Sequence, residues 1–223
     1  MVQKGCKLTI DTSQKRRASK IYKELIKRYP DAHCALTYKN PFELLVATIL
    51  SAQSTDVGVN KATPALFKEF PNPESFAKVT PKTIEPFIAT IGLFRSKAKS
   101  IHASSTLIVK EFGGEVPNTM KDLLKLRGVA RKTANVVLGN AFNKNEGIVV
   151  DTHVARISQR FGLTNEENPV KIENQLMTLF PKEQWSMLSH LFIRHGREIC
   201  KKRGGRCESD SICKRYCSNA EKT

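Results

Sequence analysis

The sequence predicts an all-α fold, and three features carry that expectation. Apolar residues recur at helical spacing in one segment after another. No alternating apolar–polar run of any length, the mark of a half-buried strand, stands between them. Pro and Gly punctuate the segments, with Thr or Asn ahead of several prolines, as helix starts and stops require. With 223 residues and 40% apolar content, the chain is long enough to bury a core in one or two globular domains. Its formal charge of +16 and pI near 9.7 favour a polyanionic partner, with nucleic acid first. No apolar run reaches the length of a membrane-spanning helix, and the N-terminus lacks an apolar signal core. The expectation is a cytoplasmic protein with no membrane partner.

About ten short helices follow in order. Residues 1–14 carry no pattern and read as a flexible arm, with Cys6 a free thiol of no assigned role. From Arg16 to Tyr29, Ile21, Tyr22, Leu25, Ile26 and Tyr29 form an apolar face opposite a ring of Arg and Lys, which reads as an amphipathic helix with a solvated basic face. Asn40, Pro41 and Glu43 read as cap, first-turn proline and capping partner for a fully buried helix, FELLVATILSA. The polar run SAQSTD after it ends with Thr55 and Asp56, which can cap the next helix from Val57. Thr63-Pro64 and Thr80-Pro81 read as two further helix starts, the second element broken or kinked at Pro86. An apolar turn, Ile91 to Phe94, precedes a helix from about Ser96 to Phe112 that Gly113 and Gly114 close.

A helix from about Asn118 leads into the stretch around which the chain is organised, LLKLRGVARKTANVVLGNAF, from Leu123 to Phe142. It joins a short apolar helix to a longer one across Arg127, Gly128, Val129 and Ala130. Gly128 suits the left-handed position that ends a helix, and Val129 is apolar enough to tuck beneath the hairpin. No Ser, Asp or Asn stands at 128–130 to cap the second helix, so its first N–H groups and the positive end of its dipole can hold an anion. Arg131 and Lys132 crowd the same turn, where cations are normally unfavourable. A phosphate would satisfy both features. A reactive amine is the other explanation, since desolvation, Arg131 and the dipole disfavour the charged form of Lys132 and expose a nucleophilic lone pair. An ordinary hairpin with solvated basic residues is the third.

Beyond a short loop, IVVDTHVARISQRFG places a buried triplet before a helix that runs to Phe161 and ends at Gly162. Asp151 is its natural N-cap, and cap hydrogen bonds limit its strength as a proton acceptor. Asn168-Pro169 opens a helix to Phe180, and Lys182 to Arg194 forms one more. The chain then changes character. Cys200, Cys207, Cys213 and Cys217 fall within 18 residues, and four cysteines so close in a cytosolic protein argue for metal rather than disulfides. A metal-free loop is the remaining reading. Cys34, far away in sequence, has no assignment.

The hairpin, with Gly128-Val129 and the run Arg131 to Val137, resembles the helix-hairpin-helix of the endonuclease III family of DNA glycosylases. The resemblance extends from about Pro41 to the last cysteine. It departs from the family at Arg127, where Pro is usual, and at Ala130, where Gly is usual and a side chain could crowd a bound phosphate. The resemblance implies DNA-binding roles for Gly128, Val129, Ala130 and Arg131. SAQSTDV is similar to the segment with which the family fills the gap left by an extruded base, implying Gln53 as gap filler. The IGL turn matches the family's strand wedge, implying Leu93, although a polar helix end and a packed apolar turn are the plainer meanings of both. VDTH matches the segment carrying the catalytic aspartate, implying Asp151.

The same resemblance implies a two-lobed helix-hairpin-helix DNA glycosylase fold. One lobe, residues 35–144, contains the hairpin; the other combines residues 1–34 with 145–223. Lys132 and Asp151 would then face each other across a central DNA-binding cleft. The family carries a [4Fe–4S] cluster on its cysteines with gaps of six, two and five residues, whereas the gaps here are six, five and three. Asp210 stands where the third ligand is expected. Iron–sulfur is the expected cofactor, with a four-cysteine zinc site as runner-up. The implied activity is that of a bifunctional glycosylase and abasic-site lyase of base excision repair, acting as a monomer in the cytoplasm at the nucleoid. It would act on double-stranded DNA with oxidised pyrimidines or abasic sites, through a Schiff base on Lys132. The alternative is a non-catalytic helix-hairpin-helix DNA-binding protein with a structural four-cysteine metal site.

Overall fold

A computed structural model describes residues 12–217, and among them every regular element is a helix. The chain divides into two compact units, Cys34–Glu146 and the remainder, which joins the chain up to His33 with the chain from Gly147. Cys6 and most of the expected N-terminal arm lie outside the described residues. Thr12, Ser13 and Gln14 were expected in that arm but belong to the first helix, α1 (Thr12–Arg28), whose apolar stripe buries Ala18, Ile21 and Leu25.

The continuous unit is built around α2 (Pro41–Ser51). Asn40 accepts from the Glu43 amide at 2.9 Å, and the Glu43 carboxylate accepts from the Lys39 amide at 2.7 Å. The cap is the one the sequence predicts, while the Glu43 carboxylate reaches one residue ahead of the cap instead of closing a capping box on the Asn40 amide. Every residue from Phe42 to Leu50 is buried, because helices pack round α2 on several sides. Each fully buried Leu there contributes about 1.5–3 kcal/mol. The next helix, α3 (Asp56–Glu69), starts with Thr55 as cap and Asp56 as its first residue.

No helix starts at Thr63-Pro64; α3 runs through both. Pro64 lies on the exposed side, where water can meet the carbonyl left without its N–H partner, while Val59, Ala62, Thr63 and Leu66 bury the opposite side. Burial of that face outweighs the lost hydrogen bond. α4 (Pro73–Ala77) follows with a capping box between Asn72 and Ser75. α5 (Pro81–Ile84) gives way to a 3-10 turn over Glu85–Ile88, the break expected at Pro86. α6 (Phe94–Phe112) begins two residues before the expected Ser96 and ends at Gly113, whose φ is +62°.

α7 (Met120–Leu123) is a single turn capped by Thr119. The first arm of the hairpin therefore ends well before Gly128, and turns bridge the interval. α8 (Arg131–Ala141) is the second arm and packs on α2 through Ala134, Val137 and Leu138.

The other unit packs α1 with α9 (Thr152–Arg160), α10 (Pro169–Leu179), α11 (Trp185–Glu198) and α12 (Ser211–Tyr216). Its core joins Ile21, Leu25, Val154, Phe161, Leu188 and Phe192. Arg17 donates to the carbonyls of Phe161 and Tyr216, at 3.1 and 2.8 Å, fastening the ends of α9 and α12 to α1.

Candidate active site

Gly128 sits in the hairpin turn at φ +83°, a conformation that favours glycine. Space excludes a side chain as well, since a Cβ there would lie 3.0 Å from the Ser100 Cβ and 3.2 Å from its Oγ. The turn is pinned to α6 by the Ser104 hydroxyl, which donates to the Arg127 carbonyl at 2.8 Å. Val129 is buried beneath it, as expected. Ala130 begins α8 in extended conformation, φ −94° and ψ 171°, with no side-chain cap. That backbone needs no glycine, so the departure at Ala130 adds only a methyl group. The first helical hydrogen bond runs from the Ala134 amide to the Ala130 carbonyl at 2.9 Å. The amides ahead of it form the uncapped N-terminal turn that an anion can occupy.

Lys132 lies on that turn and is exposed, as is Arg131, which also donates to the Glu146 carbonyl at 3.3 Å. The side chain of Lys132 is thus open to solvent, whereas the sequence predicts desolvation.

Asp151 belongs to the other unit. It is the N-cap of α9, and its Oδ1 accepts from the amides of His153 and Val154, both at 2.8 Å. Both bonds fall on one oxygen, Oδ1. The buried strip Ile148–Val150 holds the cap in place, with the Val149 amide donating to Ser189 Oγ at 3.1 Å.

Gln53 and Leu93 share an unusual backbone. Both are non-glycine residues in the left-handed region, at φ +55° and +59°, a conformation that costs about 1–2 kcal/mol each. Leu93 is 63% exposed, so the packed-turn explanation for this leucine fails. Gln53 is exposed too. A residue held in a costly conformation with its side chain in solvent suits insertion into a ligand better than support of a core.

The cysteine loop gathers three of its four thiols. The Sγ atoms of Cys200, Cys207 and Cys213 lie within 4.8 Å of one another, and Cys200 and Cys213 are fully buried. Cys217 ends α12 and stands outside this triplet. The Cys213 thiol, then the Arg160 guanidinium 3.0 Å away, draw the Cys200 thiol down to about 5 despite its burial. Such a donor set fits a thiophilic metal site. Asp210, where the family's third ligand is expected, has a carboxylate oxygen within 4.8 Å of ligand atoms of His195 and Cys213, and it is also engaged structurally. Its Oδ1 caps α12 through the amides of Ile212 and Cys213, and its Oδ2 pairs with Arg28.

Patterning alone missed three residues. Arg156 donates to the carbonyls of Gly196 and Cys200, and Arg160 to Cys200 Sγ, so α9 grips the cysteine loop. Their spacing of four on one helix face was the available signal. Lys97 is buried within α6, and a lysine in an amphipathic helix gives no warning of that.

Among the described residues, the all-helical architecture, the uncapped hairpin turn and the cysteine loop are arranged as the resemblance to helix-hairpin-helix proteins implies. The family model described as HhH-GPD superfamily base excision DNA repair protein matches residues 46–182. The endonuclease III of Synechocystis sp. is 50% identical over 204 residues, covering 90% of this chain and 93% of that protein. A non-covalent endonuclease III–DNA complex superposes with a TM-score of 0.88 at 41% identity, covering 93% of this chain and 97% of that one. A trapped endonuclease III–DNA covalent intermediate, an estranged-adenine complex, matches with the same TM-score of 0.88, identity of 41% and coverage of 93% and 97%. The chain belongs to the endonuclease III family.

Proposed function

We propose that Lys132 is the nucleophile with which this bifunctional DNA glycosylase and abasic-site lyase of base excision repair removes oxidised pyrimidines. The observation that carries the reading is the exposed amine of Lys132 on the first turn of an uncapped helix. A phosphate of the duplex meets the amides of that turn and offsets the charge of Arg131. The neutral amine of Lys132 then adds to the sugar C1′ as the bond from C1′ to the base breaks and the base departs with a proton. The nitrogen lone pair next expels O4′, which takes a proton from solvent as the sugar ring opens, and the resulting protonated Schiff base makes the C2′ proton acidic. Its removal drives cleavage of the C3′–O bond, so the 3′ phosphate leaves and the strand is nicked. Asp151, with one oxygen engaged by its own helix, supplies a fixed negative charge to the cationic intermediates and acts only weakly as a base.

Reaching C1′ requires that the damaged nucleotide leave the stack. Gln53 fills the vacated gap and Leu93 wedges the opposite strand, both from turns that expose the side chain. Cys200, Cys207 and Cys213, whose thiols are gathered, would hold a [4Fe–4S] cluster with Cys217 as the fourth ligand once it turns toward them, zinc being the second choice. When bound, that group cross-links the loop that α9 grips through Arg156 and Arg160. The protein works as a monomer in the cytoplasm. Among the described residues no helix is long and apolar enough to cross a membrane.

Borohydride trapping on a duplex with one abasic site tests the nucleophile. The wild type forms a covalent adduct, and Lys132→Ala binds the duplex without forming one. An adduct of equal yield from the variant would remove Lys132 from the mechanism.

A further inference from the structure

Lys97 is 6% exposed in the middle of a strongly basic chain whose other lysines overwhelmingly face solvent. Its ammonium donates to the Leu50 carbonyl at 2.8 Å and to the Ser54 hydroxyl at 2.9 Å. Both acceptors are neutral, and burial pulls the ammonium below its ordinary value. A buried lysine without a carboxylate among these acceptors is costly and needs a compensating role.

Geometry supplies one. Leu50 is in the last turn of α2, where carbonyls lack helical partners, and Ser54 closes the turn that holds Gln53. The Ser54 amide completes that turn by bonding to the Ser51 carbonyl at 3.0 Å. The backbone of Lys97 reaches the other turn, for its amide bonds to the Leu93 carbonyl at 3.1 Å. One residue therefore ties both exposed left-handed turns together, by its side chain and by its main chain. Gly92 confirms how near the turns lie, since a Cβ there would sit 3.8 Å from both the Gln53 carbonyl and Ser54 Oγ.

We infer that Lys97 is a positioning residue that clamps the Gln53 and Leu93 turns into one rigid wedge, so that gap filling and strand wedging occur as a single event. The inference rests on the assignment of Gln53 and Leu93 to duplex insertion. Neither left-handed turn is stabilised by glycine, so each depends on surrounding contacts to hold its conformation. Lys97 is the contact they share. A tied pair enters the duplex already ordered and selects sites where a base can leave the stack. An untied pair must be ordered on binding, which weakens damaged and undamaged complexes unequally.

The test uses the full-length protein and a duplex bearing a tetrahydrofuran abasic site, which forms no Schiff base and so separates the result from Lys132 chemistry. Lys97→Met keeps most of the buried chain and removes the side-chain donors while leaving the main-chain bond to Leu93 in place. Amide hydrogen exchange in residues 51–55 of the free variant is expected to quicken about tenfold, with residues 91–94 and 101–108 unchanged. The ratio of Kd for undamaged to abasic duplex is expected to fall about tenfold, because the Gln53 turn is no longer held to the Leu93 turn. Unchanged exchange in residues 51–55, or an unchanged ratio, overturns the inference. Ser54→Ala removes a single acceptor at the surface and serves where Lys97→Met does not fold. It should quicken exchange in residues 51–55 while leaving 91–94 as in the wild type, and no change in 51–55 again overturns the inference. Gln53→Ala measured in parallel identifies the other failure. If it keeps the wild-type ratio while Lys97→Met quickens residues 51–55, the clamp stands and the role of Gln53 falls.

Discussion

Replacing Gly128 by alanine perturbs the hairpin at the point where backbone and packing demands coincide. At φ +83° an L-residue sits in the left-handed region, at a cost of about 1–2 kcal/mol. The added Cβ also meets the Ser100 Cβ at 3.0 Å and Oγ at 3.2 Å, with Ile49 Cγ2 at 3.6 Å. The nearest of these is the stem of a buried helical serine and cannot swing away, so overpacking adds about 1–3 kcal/mol. The sum, about 2–5 kcal/mol, corresponds to a fall in Tm of roughly 5–15 °C for a chain of this size. Thermal unfolding followed by circular dichroism reads it. Ser100→Gly separates the two contributions, because it removes the clashing Cβ and leaves the backbone cost. The double variant should recover the packing part, about 1–3 kcal/mol, relative to additivity. A loss below about 0.5 kcal/mol in Gly128→Ala refutes the whole argument, and strict additivity refutes the packing half.

Other consequences follow from individual contacts. Asp151→Asn keeps a good helix cap, so stability should stay within about 0.5 kcal/mol while single-turnover strand cleavage drops at least tenfold, whereas Asp151→Ala loses about 1 kcal/mol as well; a full-rate Asn variant would leave Asp151 as a cap only. Cys200→Ser should abolish bound metal by elemental analysis and lower Tm, and undiminished metal would exclude Cys200 as a ligand. Burial first, and then the charge of His33, pull the His190 imidazole down to about 4. Between about pH 6.5 and 4 the unfolded chain therefore binds more protons, so stability is complete above that window and is lost as pH falls through it, by at most about 3 kcal/mol. Urea midpoints at pH 7 and 4.5 should converge by part of that amount in His190→Gln, and an unaltered pH dependence would show that His190 does not carry the effect.

Where local chemistry governs, the sequence was legible. Asn40 with Glu43, Asp151 at α9 and the break at Pro86 all lie where residue type alone places them. Thr63-Pro64 was misread because the rule for a first-turn proline is local, while the fate of α3 is settled by Val59 and Leu66 on its buried face. Lys97 was invisible for a related reason. Nothing in its neighbourhood in sequence distinguishes it from the solvated lysines of a basic helix, since its acceptors lie 47 and 43 residues away. At Asp210, where the family's third ligand is expected, sequence position could not show that the aspartate also caps α12 and pairs with Arg28. Exposure of Leu93 also had to be seen, because a leucine in an apolar turn carries no record of which way it points.

The two groups proposed to do the chemistry both occupy helix starts, and the starts are built in opposite ways. α9 opens on Asp151, whose carboxylate satisfies two amides of its own helix. That helix is complete without a ligand, and its charge is fixed before substrate arrives, as electrostatic preorganisation requires. α8 opens on Ala130 with no cap and places Arg131 and Lys132 on its first turn. Its start is electrostatically unfavourable until an anion arrives. On the proposed function, a phosphate bound there is worth more than at a capped helix, and part of the duplex affinity is the relief of a cost built into the free protein. Ala130→Asp, which adds a cap, is then expected to raise Tm while weakening duplex binding and Lys132-dependent borohydride trapping, and unchanged trapping would separate the missing cap from the lysine.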